Sequence, residues 1–261
     1  MKITAISFDF WNTIYVDHQH TYERHSERVN FLRDALIKCG YNNEYDIEGS
    51  FKYCWDYFDK IWKNEHRTLN AAQLLQVGLE HLTPACADAS AGRPSLSKGE
   101  GDGNIVLPPD EFKLVVDFFE NILLKYPPGL FDDAESVIPK LAQKYKLGIT
   151  SDTAYTPGRV LKQLLEKDGL LQCFSAFTFS DEAGCSKPDP QTFRNTLNQL
   201  SSKPHEAIHV GDNEYTDIEG GIEAGMKTIL FTAGLKNKDV ETEADYKVNS
   251  WLELIELMHF I

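Results

Sequence analysis

Lys2-Ile3-Thr4-Ala5-Ile6-Ser7-Phe8-Asp9-Phe10-Trp11-Asn12-Thr13-Ile14-Tyr15 is an apolar strand that runs straight into a lone carboxylate. An ionised carboxylate at the tip of a buried strand needs a cation or a shifted pKa, so Asp9 marks a candidate site. An aspartate there also starts turns and caps helices, and the rest of the chain has to decide between the two.

Outward from this strand the apolar spacing becomes helical. Between residues 20 and 39, Val29, Leu32, Ala35, Leu36 and Cys39 share one face, and Gly40 is a natural stop. A second helix is predicted over 47–64, with an aromatic stripe (Phe51, Tyr53, Trp55, Tyr57, Phe58, Trp62) that reads as helix-helix packing. Two more are predicted over 71–82 and 109–126, the latter with Pro109 in its first turn. Residues 85–104 between them are small, glycine-rich and charged without an apolar period, as in a mobile surface loop. Pro127-Pro128-Gly129 breaks the helical pattern.

Beyond that break the pattern alternates. Strands are predicted at 146–151, 176–180, 207–210 and 227–231, and helices at 134–144, 157–165, 191–200, 218–224 and 251–258. This implies an α/β fold, a doubly wound parallel sheet split after its first strand by an α-helical insertion. The expected organisation is a core of residues 1–16 and 128–261 and a helical unit of residues 17–127.

Composition narrows the function. With 42% hydrophobic and 25% charged residues the chain is an ordinary globular one, and no run approaches the roughly 20 apolar residues of a membrane span. The first apolar run is too short for a signal peptide, so a cytoplasmic protein is expected, without a membrane partner. Five cysteines without a Cys-x-x-Cys pair read as free thiols rather than a disulfide framework or zinc knuckle. A net charge of -14 repels a phosphate backbone and argues against nucleic acid as a partner. An anionic small substrate would need local positive charge, from a metal or a placed lysine.

In an open parallel sheet, functional groups gather where strands end. Asp9 follows the first predicted strand, Ser151-Asp152 the second, and Gly211-Asp212 the strand at 207–210, with Asp217 close behind. Lys187 lies in Ser186-Lys187-Pro188-Asp189-Pro190, after the strand at 176–180. Each residue alone also suits a turn, a cap or a solvated surface. Together they supply the carboxylates, hydroxyl and lysine that a magnesium-assisted phosphoryl transfer requires.

In these residues the chain resembles the haloacid dehalogenase-like (HAD) hydrolases, over nearly its whole length. Asp9 matches the family's nucleophile, Ser151 its second motif and Lys187 its third, and Gly211-Asp212-Asn213-Glu214-Tyr215-Thr216-Asp217-Ile218 matches its acidic fourth. The insertion resembles the family's cap. The resemblance implies a Rossmann-like core and a Mg²⁺-dependent phosphatase of a small phosphorylated metabolite. Asp9 would form an aspartyl-phosphate. Mg²⁺ would be held by Asp9, the backbone carbonyl of Trp11, Asp212 and Asp217, the last directly, through water or by orienting Lys187. Lys187, Ser151 and Asp152 would bind the substrate, and the Thr13 hydroxyl would steady the loop or the nucleophile.

One position departs from the pattern. HAD phosphatases usually carry a second aspartate two residues after the nucleophile as general acid and base, and here Trp11 stands there, followed by Asn12. Indole cannot shuttle a proton near neutral pH. Three outcomes are open: a leaving group that needs no acid, as in acyl or aryl phosphates or a phosphonate; a substitute acid such as Asp17, His18 or His20; or a ligand-binding protein that has lost fast catalysis. An aromatic residue at this position also resembles the 2-haloacid dehalogenases, which generally lack the paired acids that Asp212 and Asp217 provide here.

Overall fold

In the computed structural model, which describes residues 2–16, 18–41, 45–82 and 105–261, six parallel strands form one sheet. They are β1 (Ala5–Phe8), β2 (Lys146–Ser151), β3 (Phe174–Phe179), β4 (Ala207–Gly211), β5 (Lys227–Phe231) and β6 (Tyr246–Val248), in the spatial order β3-β2-β1-β4-β5-β6. Phe8 is in register with Ile149 on one side and Val210 on the other, so β1 is central and the chain order reverses beside it. That reversal opens a crevice at the carboxyl ends of β1, β2 and β4.

The helices are α1 (Thr21–Lys38), α2 (Ile47–Glu65), α3 (Ala71–Glu80), α4 (Pro109–Lys125), α5 (Ala134–Ala142), α6 (Gly158–Lys167), α7 (Ser180–Ala183), α8 (Pro190–Leu200), α9 (Gly220–Glu223) and α10 (Trp251–Leu257). Strand alternation sorts the two faces of the sheet. Ile6, Phe8, Leu147, Ile149, Val210 and Phe231 pack against α5, α6 and α10. Ala5, Ala176 and Ala207 face α8 and the segment after α9. Small residues let α8 approach closely: a Cβ on Gly148 would stand 2.7 Å from Thr196 Cγ2. The Thr196 hydroxyl pairs with those of Thr150 (2.6 Å) and Thr178 (2.8 Å), so this close face stays satisfied.

Helices α1 to α4 carry an apolar cluster of their own, built from Leu32, Leu36, Leu74, Leu75, Val115 and Phe119. Tyr155, from the loop after β2, belongs to this cluster and ties it to the sheet edge. Phe51 of the aromatic stripe is buried here as expected, whereas Trp55 is 44% exposed. Among the described residues no helix is long and apolar enough to cross a membrane. Cys39, Cys54, Cys173 and Cys185 are free, as expected, whereas Cys86 and the expected loop at 85–104 lie outside the described residues.

Most predicted elements form within a few residues of their expected bounds. Strand β3 begins two residues early and yields Ser180 to α7, while β6 carries no apolar pattern beyond its buried Val248. Before α9 the chain makes a π-helical turn over Glu214–Glu219, which places Asp217 inward.

Trp251 is fully buried between Phe8 and Phe231 (ring centroids 5.3 and 5.8 Å), and its indole N–H donates to the Thr13 carbonyl at 3.2 Å. It therefore fills the core and anchors the loop after Asp9. Trp251→Ala is expected to cost about 3 to 5 kcal/mol of unfolding free energy, read by denaturant titration. A loss under about 1 kcal/mol would contradict this anchoring role.

Candidate active site

The loop after β1 is wound tightly. Ile14 and Tyr15 N–H both donate to the Phe10 carbonyl (3.1 and 3.0 Å), and Asn12 N–H donates to the Tyr15 carbonyl at 2.7 Å. Asn12 holds φ at +53°, a left-handed conformation that asparagine tolerates better than most side chains. This winding buries Asp9 and Thr13 and leaves Trp11 half-buried on the edge of Phe10, with ring centroids 5.0 Å apart.

Lys187 completes the centre. Its Nζ donates to Asp9 Oδ1 at 2.7 Å and to Asp217 Oδ1 at 2.5 Å, with all three side chains buried. Asp212 joins them, and one carboxylate oxygen from each of Asp9, Asp212 and Asp217 lies within 4.8 Å of the others. Asp217 is held from three sides: Oδ1 also accepts from His209 Nε2 at 3.1 Å, and Oδ2 accepts from Asn213 N–H at 3.0 Å. Behind His209, Nδ1 pairs with Ser7 Oγ at 2.5 Å. A buried line of contacts thus runs Ser7, His209, Asp217, Lys187, Asp9.

Asp152 sits beside this line. Its Oδ1 accepts the Lys187 backbone N–H at 3.0 Å, and its Oδ2 accepts the Trp62 indole N–H at 2.8 Å. It therefore connects α2 to the loop that carries Lys187. Ser151 and Thr13 are buried, and neither hydroxyl has a hydrogen bond of good geometry, although Ser151 lies close enough to Asp9 to favour its charge.

The electrostatics follow from crowding. Burial raises the Asp9 carboxyl above the ordinary range against the pull of Lys187, and Asp217 adds to the rise. Asp212 is pushed up to about 8 by burial and then by Asp217 and Asp9. Burial would raise Asp217 too, but Lys187 and His209 outweigh it and hold that carboxyl well below the usual range. Burial also opposes charge on Lys187, yet Asp217, Asp9 and Asp152 hold its pKa above that of an ordinary lysine. Asp152, at about 6, is raised by burial and restrained by Lys187 and Trp62.

Four carboxylates thus share one ammonium. Oxygen-only donors this close, with an excess of negative charge and two unpartnered hydroxyls alongside, suit a hard divalent cation and a phosphate group. All the residues predicted for the site, Asp9, Trp11, Thr13, Ser151, Asp152, Lys187, Asp212 and Asp217, fall on or beside this carboxyl edge. Asp17 lies outside the described residues. His18 is exposed, and His20 is half-exposed beside Glu23 (3.6 Å).

Next to the carboxylates opens a cavity of about 460 Å³, bounded by Trp11, Asp152 and Tyr155 on the sheet side and by Arg24, Arg28, Phe51, Trp55, Phe58 and Trp62 on the helical side. Neither His18 nor His20 lines it, while His25 does, paired with Glu48 at 2.6 Å.

Gly211 ends β4 where Asp217 turns inward. A Cβ there would stand 2.2 Å from Asp217 Cγ, far inside contact distance. Gly211→Ala is expected to displace Asp217, to cost about 1 to 3 kcal/mol of stability and to weaken any activity that depends on Lys187. Unchanged melting and turnover would show that the turn yields without cost.

The structure is thus a doubly wound parallel α/β sheet with an aspartate-lysine-aspartate centre at its carboxyl edge. Residues 105–231 match the sequence profile of the haloacid dehalogenase-like hydrolases. The matched segment includes Ser151, Asp152, Lys187, Asp212 and Asp217, and Asp9 lies before it. A phosphoserine phosphatase of Thermus thermophilus is 30% identical over 146 residues, 56% of this chain and 57% of that protein. The chain spans about half the length of the curated relatives it matches. Among solved structures, a 2-haloacid dehalogenase from Pseudomonas syringae superposes with a TM-score of 0.68 at 20% identity, over 99% of both chains. A HAD-hydrolase of Bacillus subtilis bound to magnesium superposes with a TM-score of 0.60 at 17% identity, again over 99% of both. At these identities the superpositions speak for the fold.

Proposed function

We propose that the protein is a Mg²⁺-dependent phosphatase of a small phosphorylated molecule, with Asp9 as nucleophile. The observation that carries this is the Lys187 ammonium bridging Asp9 and Asp217 with Asp212 within 4.8 Å. The phosphatase names of the curated relatives support the same chemistry.

Asp9 attacks phosphorus in line and the ester oxygen leaves, giving an aspartyl-phosphate that water then cleaves to inorganic phosphate. Lys187 orients the Asp9 oxygen it contacts and meets negative charge building on the transferring group. The unpartnered Ser151 and Thr13 hydroxyls stand ready to donate to phosphate oxygens or to the nucleophile. Asp9, Asp212 and the Trp11 carbonyl would hold the Mg²⁺, and Asp217, already receiving Lys187, His209 and Asn213, acts through water or through Lys187. Bound there, the cation neutralises phosphate oxygens so that an anion can approach a carboxylate.

Residues 17–127 are read as the cap and 1–16 with 128–261 as the core. The Trp62–Asp152 hydrogen bond supports this, because it links a helix of the insertion to a site carboxylate. Phosphate release from p-nitrophenyl phosphate tests the proposal. Turnover is expected with Mg²⁺ and should fall to background in excess EDTA, returning when Mg²⁺ is restored; metal-independent turnover would sink it.

The aromatic Trp11 beside the nucleophile motivates one second reading, a dehalogenase in which Asp9 attacks carbon. Chloride release from a 2-chloroacid without added metal would favour it. The clustered carboxylates of Asp9, Asp212 and Asp217 favour the phosphatase.

A further inference from the structure

Lys187 lies between α7 and α8, outside any helix or strand, so no ladder or helical turn fixes its backbone. Two adjacent N–H groups of this loop are tied instead to the helical insertion. Ser186 N–H donates to the carbonyl of His66, just past the end of α2, at 2.8 Å. Lys187 N–H donates to Asp152 Oδ1 at 3.0 Å, and Asp152 Oδ2 accepts the Trp62 indole N–H at 2.8 Å.

The same stretch of the insertion reaches other loops of the sheet edge. His66 holds φ at +47°, a left-handed conformation uncommon for a residue with a Cβ, and its Nε2 pairs with Tyr215 Oη at 3.2 Å, in the turn that places Asp217. Thr68 Oγ1 donates to Ser180 Oγ at 2.6 Å, and Ser180 Oγ accepts the Thr153 N–H at 2.8 Å, next to Asp152. Residues 62–68 thus touch the segments after β2, β3 and β4, which carry Asp152, Lys187 and Asp217.

Among these contacts, the one from Trp62 acts on a charge. Trp62 is only half-buried, so burial alone does not oblige its N–H to find a protein partner. Burial raises the Asp152 carboxyl to about 6, against the Lys187 charge and the Trp62 N–H. The indole therefore favours the ionised carboxylate that grips the Lys187 amide, and a hydrogen bond to a charged acceptor is roughly twice as strong as a neutral one.

We propose that Trp62 is a positioning residue for Lys187, acting through Asp152, so that the helical insertion sets where the lysine ammonium meets Asp9 and Asp217. Its effect on turnover rests on the phosphatase reading above. There the ammonium meets charge building on the transferring group, and a misplacement of about 1 Å costs on the order of 10²-fold.

The test uses Trp62→Phe in the Mg²⁺-loaded protein, which removes the N–H and keeps a ring beside Phe58. For p-nitrophenyl phosphate, kcat should fall about 10- to 100-fold with KM changed by less than about threefold. Affinity for orthovanadate, which mimics the transferring group, should fall with kcat, while the Mg²⁺-induced rise in melting temperature stays as in wild type. Trp62→His, whose Nε2 takes the place of the indole Nε1 in the five-membered ring, should recover part of the loss. In an Asp152→Asn background, Trp62→Phe should add less than about twofold, because the indole acts only through that carboxylate. Hydrogen exchange at the Lys187 amide, read by mass spectrometry in a segment where Pro188 and Pro190 carry no amide hydrogen, should quicken in Trp62→Phe. Unchanged exchange in folded Trp62→Phe, an equal loss of kcat with and without Asp152→Asn, or a change in KM alone would overturn the proposal. If wild type turns over no phosphate ester, yet Lys187 exchange quickens in Trp62→Phe and slows again in Trp62→His, the phosphatase reading fails and the positioning role stands.

Discussion

Asp9→Asn is expected to lower kcat on p-nitrophenyl phosphate by at least about 10⁴-fold, as removal of a nucleophile does elsewhere, while the protein keeps a cooperative thermal transition. The amide is nearly isosteric but a far weaker nucleophile, and it still accepts the Lys187 N–H that Asp9 Oδ1 receives at 2.7 Å. Folding should survive because Lys187 also holds Asp217 and because burial already disfavours charge on Asp9. A second readout separates loss of the nucleophile from loss of the site. Mg²⁺ should raise the melting temperature of wild type, since a ligand bound only by the folded state stabilises it, and should do so less in Asp9→Asn. Residual turnover above one part in about 10² with intact folding would remove Asp9 from the role of nucleophile.

The arrangement around Asp9 was legible because a parallel sheet brings strand ends together from distant sequence. Asp9, Ser151, Asp152 and Asp212 each follow an apolar run, and the observed registers of Phe8 with Ile149 and Val210 put those runs side by side. Lys187 was legible by resemblance, as was the option that Asp217 orients it, and the structure puts its ammonium between Asp9 and Asp217. His209 was missed, since a histidine inside a strand reads as core. Its pairing with Ser7 depends on the cross-strand register, which a single sequence does not display. Arg24 and Arg28 were also missed. Their four-residue spacing was visible, but charges on an amphipathic helix usually mark its solvated face, and only the packing of α1 against the Tyr126 and Phe119 carbonyls turns them inward. The aromatic stripe of α2 divides for a similar reason. Phe51 belongs to the buried helical cluster and also reaches the cavity, whereas Trp55 and Trp62 line the cavity from outside that buried cluster.

Trp11→Asp is expected to raise kcat/KM for a simple alkyl phosphate such as glycerol 3-phosphate by about 10²-fold. General acid-base help is worth roughly 10² to 10⁴, or about 3 to 5 kcal/mol, and an alkoxide leaving group needs it most. The position is suitable: Trp11 lines the cavity two residues beyond Asp9, on a loop held by the Phe10 carbonyl, so a shorter side chain there faces the same space. The gain should be selective. An aryl phosphate, whose oxygen leaves as a stabilised anion, should change by less than about threefold, because little proton transfer accompanies its departure. Opposing costs come from lost indole packing on Phe10 and from a fifth carboxylate beside Asp9, Asp152, Asp212 and Asp217, which makes the gain dependent on bound cation. If alkyl and aryl phosphates fall together in a well-folded Trp11→Asp protein, the indole contributes to substrate binding and the missing acid does not limit the rate. If the alkyl substrate alone improves, the identity of residue 11 sets which leaving groups this chain accepts.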